Sequence, residues 1–124
     1  MQIVEGDTFL YQYPGSKYHL FIVVTRRMND SSFVCTMVSS WKNDSRLDDP
    51  ACILEPGDHP FIQHKSYVAY KETVIFYPDQ LDRLFASGMC LPRDPVSPSL
   101  LDRIRANAFR SRKIAVGMKE LYRI

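Results

Sequence analysis

No cysteine pair, no glycine-rich loop and no long apolar run marks this sequence, and each lack removes a class of function. The three cysteines, Cys35, Cys52 and Cys90, are odd in number, widely spaced and outside any CxxC pair. That pattern argues against a disulfide framework or a zinc site and favours a reducing, cytoplasmic setting. The five glycines are scattered, so no loop of the kind that cradles nucleotide phosphates is present. The apolar run Leu20-Phe21-Ile22-Val23-Val24 has the length of a strand and falls far short of the ~18 residues of a membrane span. The N-terminus carries no basic segment leading into an apolar stretch, so no signal peptide is expected. Asp58, His59 and His64 lack a further strong ligand at recognisable spacing, and neither a metal nor another cofactor is expected.

What is present fits one soluble domain over residues 1–124, with 45% hydrophobic and 24% charged residues. The formal charge of +2 conceals an asymmetry. Residues 1–99 carry nine Lys/Arg against twelve Asp/Glu, a net −3, and residues 100–124 carry seven against two, a net +5. A basic tail on a mildly acidic body attracts phosphate backbones or acidic proteins, or forms a solvated helix face.

Along the chain, short segments rich in β-branched and aromatic residues alternate with turn signals. Thr8 to Tyr13 reads as a strand broken by Pro14-Gly15. His19 to Thr25 reads as a second strand, central because it is apolar on both faces. Phe33 to Ser40 follows the Asn29–Ser32 turn as the return of a hairpin, with Cys35 in its core alternation. Cys52 to Leu54 is a short strand ended by the Glu55-Pro56-Gly57-Asp58 turn, and Lys65 to Phe76 reads as one or two strands. Gln80 to Ser87 is a short helix, residues 92–98 a proline-rich linker, and about 100–111 a C-terminal helix opened by a Ser99/Asp102 capping box. Leu101, Ile104 and Ala108 form its apolar face; Arg103, Asn107 and Arg110 form a basic one. The expected fold is mainly β, a small, strongly bent antiparallel barrel with a C-terminal helix.

Four features occur in an order that resembles the MazF/PemK family of toxin endoribonucleases: Gly6-Asp7 before the first strand, the apolar second strand, Val38-Ser39-Ser40 ending the third, and Ser66-Tyr67-Val68 after a turn. The resemblance covers about residues 3–85. It implies an SH3-like barrel and a homodimeric, metal-independent, cytoplasmic ribonuclease that cuts single-stranded RNA and is silenced by an antitoxin protein. It also implies that Ser39 and Ser40 lie near the scissile phosphate and that Lys71 stands for the family's basic residue. The family's Arg-Pro before the second strand is replaced here by Tyr18-His19, and the family has no prominent Gly57–Ile62 segment.

The stretch GDHPFIQHKSYVAY, residues 57–70, concentrates the remaining chemistry. Metal-free RNA cleavage needs a base for the 2′-OH, an acid for the leaving 5′-oxygen, and donors for the phosphoryl oxygens. Histidine suits both proton-transfer roles, its unperturbed pKa of about 6.5 lying near working pH. His59 and His64 would form the pair if the Pro60 bend turns them to one side, because five residues of straight strand would point them to opposite faces. Lys65 and Lys71 are candidate phosphate contacts, Ser66 with Ser39 and Ser40 candidate donors, and Tyr67 and Tyr70 candidate stacking platforms. His19 is a further candidate at the start of its strand. Period-2 alternation puts His64, Ser66, Val68 and Tyr70 on one face and Lys65, Tyr67, Ala69 and Lys71 on the other, and leaves open which face lines a site. The competing expectation is a non-catalytic SH3-like barrel that binds RNA or protein, with His59 hydrogen-bonded in its own turn and Asp58 capping the bend.

Overall fold

The computed structural model describes residues 2–13 and 15–123. Seven strands form one antiparallel sheet: β1 (Thr8–Gln12), β2 (Tyr18–Arg26), β3 (Phe33–Ser40), β4 (Ile53–Leu54), β5 (Ser66–Val68), β6 (Val74–Phe76) and β7 (Cys90–Arg93). Two helices complete it, α1 (Pro78–Ala86) and α2 (Pro98–Asn107). The expected hairpin is the β2–β3 pair, with a bulge between Val23 and Thr25, and β2 is central, flanked by β1 and β3. The free edge of β3 is shared: β6 pairs with its first half and β5 with its last, β4 lying beyond β5. A 3₁₀ turn at Tyr70–Glu72 separates β5 from β6, so the stretch that reads as one or two strands is two.

Strand order runs β4-β5-β3-β2-β1-β7 and does not close on itself among the described residues, which corrects the expected barrel to an open sheet. The physical reason lies in β2 and β3, whose side chains are buried on both faces. Leu20, Ile22 and Val24 pack with Leu10, Val34, Leu54, Val68, Ile104 and Tyr122 in one core. Phe21 and Val23 pack with Phe9, Phe33, Cys35, Met37, Phe76 and Leu81 in the other. Strand alternation sends successive residues into separate cores, so one sheet is covered twice, by α2 and the C-terminal segment on one side and by α1 on the other.

Three boundaries differ from expectation. The segment read as a proline-rich linker begins as edge strand β7, Phe9 pairing with Pro92 and Thr8 with Arg93. Proline is tolerated there because an edge strand has one side that needs no N–H donor. Helix α1 begins two residues early because Pro78 takes the first helical position, where its missing N–H costs nothing. Helix α2 begins with Pro98 for the same reason, and its cap is Ser97, whose Oγ accepts from Leu100 N at 3.1 Å, rather than Ser99.

The apolar face of α2 is the expected one, Leu101, Ile104 and Ala108 being buried against the protein's own sheet. Of its basic face, Arg103 meets Asp58 at 3.2 Å; Arg105, beside the apolar face, meets Glu5 at 2.9 Å. Beyond α2 the chain turns back into the first core. Tyr122 is fully buried, its ring 5.5 Å from that of Tyr70 in an edge-to-face pair, and Thr25 Oγ1 donates to Leu121 O at 2.7 Å. No helix among the described residues is long and apolar enough to cross a membrane.

Candidate functional site

A cleft of about 650 Å³ opens where the end of β3, the start of β2 and residues 61–72 meet. It brings together seven of the ten site residues expected from the sequence: His19, Ser39, Ser40, His64, Ser66, Tyr67 and Lys71. The β3–β5 ladder sets this geometry, pairing Ser40 with Ser66 and Ser39 with Tyr67. His64 stands two residues before Ser66, whose Oγ donates to His64 O at 2.9 Å and fixes the backbone there. The imidazole then reaches across the ladder, placing Nε2 2.7 Å from Ser40 Oγ. His64 is exposed, and Ser40 and His19 are half-buried, so all three are reachable from solvent.

The cleft is cationic. Lys17, Lys42, Lys71 and Lys113 line it against a single carboxylate, that of Glu72. Lys113 Nζ is held by Ser45 O and Arg46 O at 3.2 and 3.1 Å. Four lysines on a concave wall focus positive potential, which selects an anionic ligand. Lys17, Lys42 and Lys113 are absent from the sequence reading. Lys42 stands only two residues past Ser40, and the excess charge after residue 100 was the signal for Lys113; nothing local marks Lys17.

Three expected residues lie outside the cleft. His59 is 3% exposed, and both of its ring nitrogens have backbone partners. Phe61 N donates to Nδ1 at 3.0 Å, so the proton is on Nε2, which donates to Asp94 O at 2.6 Å. The ring ties the 57–62 turn to the end of β7 and is not available as a base or acid beside His64. Asp58 caps the same turn by accepting from Glu55 N at 2.8 Å. Tyr70 is buried and donates to Ile104 O at 2.7 Å, so it offers no stacking face. Lys65 points away, its Nζ 4.3 Å from the centroid of the Trp41 ring.

Period-2 alternation does not sort this stretch, because only Ser66–Val68 is strand. The following 3₁₀ turn swings Lys71 back toward the side that carries His64. Tyr67 forms part of the wall, but it is 7% exposed, its OH donates to Leu47 O at 3.0 Å, and burial raises its phenol pKa. It shapes the cleft more than it offers a stacking face. The cysteines are all buried; burial pushes Cys90 up to about 11 and Cys35 higher still, the opposite of an activated nucleophile. Among the described residues no group of three or more His, Cys, Asp or Glu side chains is placed to hold a metal ion. No protein-family model, no curated protein and no solved structure matches the chain.

Proposed function

We propose that the chain is a metal-independent endoribonuclease that cleaves single-stranded RNA in the β3–β5 cleft, with His64 as its central proton-transfer group. The observation that carries this reading is the 2.7 Å contact between His64 Nε2 and Ser40 Oγ inside a cleft lined by four lysines. His64 takes the proton of the 2′-OH, directly or through the Ser40 hydroxyl. The 2′-oxygen attacks the adjacent phosphorus, and the bond to the 5′-oxygen breaks, leaving a 2′,3′-cyclic phosphate. His19, the other histidine of the cleft, returns a proton to the leaving 5′-oxygen in place of the expected His59. Lys42 and Lys71 face the charge that develops on the phosphoryl oxygens.

The order of elements supports a place beside the MazF/PemK toxins, as an open variant of their SH3-like fold. The same reading carries a cytoplasmic homodimer silenced by an antitoxin protein. Because the His64–Ser40 pair is exposed, a second reading is a binding cleft in which the pair only hydrogen-bonds an RNA or protein ligand.

Cleavage of a mixed-sequence single-stranded RNA in EDTA separates the two. Cutting by the parent chain, reduced by about 10²–10⁴ in His64→Ala and in His19→Ala, is the expected result. Binding without cutting by the parent moves the assignment to the binding module.

A further inference from the structure

A second concavity, about 800 Å³, adjoins the first on the far side of Lys113, which lines both. Its walls are Trp41 and the 43–51 loop on one side and, on the other, Arg110 and Arg112 from the segment that follows α2. We propose that it is the subsite for the nucleotide one step beyond the two that flank the scissile phosphate, so that one RNA strand runs from the His64–Ser40 cleft past Lys113 onto Trp41 and the two arginines. This inference rests on the ribonuclease reading only for the nature of the ligand.

Four observations carry it. Trp41 directly follows Ser40, and its N–H continues the β3–β5 ladder by donating to Lys65 O at 3.0 Å. Ser40 lines the first cavity and the Trp41 indole the second. Trp41 is half-buried, a rigid aromatic wall against which a base stacks in exchange for the Lys65 ammonium now over the ring. Arg110 and Arg112 are exposed, and among the described residues neither has a carboxylate within 4 Å, unlike Arg103 and Arg105. Both belong to the tail in which the sequence concentrates its positive charge.

The cavity also holds Asp44, Asp48 and Asp49, and they argue against a bare phosphate as ligand. Asp44 is paired with Arg46 at 2.9 Å. Asp48 and Asp49 are buried, and their oxygens accept from Lys42 N, Asp44 N, Ala51 N and Ser111 Oγ. Their carboxylates brace the loop and offset the arginine charge. A ligand with an aromatic base as well as a phosphate gains from Trp41 what an isolated anion would lack.

Trp41 is the only tryptophan and lines this cavity, so its fluorescence reports a base stacked there. In a His64→Ala background, to prevent turnover, a diuridylate and a longer oligouridylate are titrated against the chain with and without Arg110→Gln/Arg112→Gln. The expected result is quenching of Trp41 by the longer oligomer only. The double substitution should weaken that oligomer about tenfold and leave the diuridylate unchanged. Its log affinity against log salt should be shallower by about 0.7 for each lost contact. Equal affinity of parent and double variant for the longer oligomer, with no quenching, overturns the subsite and leaves the RNA reading standing. Failure of the parent to bind either oligomer removes the RNA reading, and the subsite with it.

Discussion

His59 and His64 stand five residues apart in one stretch and lead opposite lives. His59 is enclosed, with Phe61 N on one nitrogen and Asp94 O accepting from the other; His64 is exposed, with a single side-chain partner in Ser40. The difference is in what the neighbouring backbone needs. The 57–62 turn and the exit of β7 leave an N–H and a carbonyl without a ladder partner, and an imidazole bridges both. At His64 the carbonyl already accepts from Ser66 Oγ, so the ring is left for chemistry. The contrast extends through the molecule: Tyr70 and Tyr122 are locked into backbone and hydroxyl partners in the core, while Lys17, Lys42 and Lys71 of the cleft are exposed.

The largest effect that would break this comparison is on stability. His59→Ala leaves Asp94 O and Phe61 N without their partner in a partly buried place and should cost about 1 kcal/mol. His64→Ala should stay within about 0.5 kcal/mol of the parent, as exposed substitutions do. Urea unfolding of both variants is the measurement, and equal losses would mean that the two rings play the same role.

A second effect sharpens the core side. Burial pushes Tyr122 up to about 12 from its ordinary 10, and raises Tyr70 further. Both groups then favour the folded state fully below pH 10, where neither state ionises, and lose that contribution as pH rises through the folded value. The tyrosine contribution to unfolding free energy should thus be flat up to about pH 10 and fall above it, on top of the fall that the raised thiols of Cys35 and Cys90 begin near pH 9. Tyr122→Phe should cost about 1 kcal/mol at neutral pH, through its bond to Thr73, and flatten the alkaline fall. Identical alkaline slopes in parent and variant would exclude Tyr122 as the group responsible.

The smallest effect sharpens the cleft side. Lys71→Gln should leave stability unchanged and lower the salt dependence of RNA affinity by about 0.7 in log–log slope. An unchanged slope would place Lys71 away from the phosphates.

What the sequence made legible follows from how local each signal is. The β2–β3 hairpin, the central place of β2 and the buried face of α2 are written in runs of neighbouring residues. The convergence of His19, Ser39, Ser40 and His64 was also within reach, because strand ends and turns that bound a sheet tend to gather side chains at one edge. The open sheet was not: a strand apolar on both faces signals a buried strand, but not whether α1 and a returning tail will cover it. Pro92 concealed β7, since proline speaks against strands everywhere except at an edge. His59 and His64 are indistinguishable in the sequence, because the partner that separates them, Asp94 O, is a backbone atom thirty-five positions away.

The return of residues 111–123 into the first core has a consequence for how the protein is made. Ile114 and Tyr122 complete the packing around Val24, Val34 and Ile104, and Asp49 waits for the Ser111 hydroxyl. A nascent chain still holding residue 122 inside the ribosomal exit tunnel has all its strands but one unfinished core. Domains generally fold as units while synthesis proceeds from the N-terminus. Here the last step of that process falls after residue 122 has emerged, and until then the part of the first core that Ile114 and Tyr122 cover stays open to chaperones and proteases.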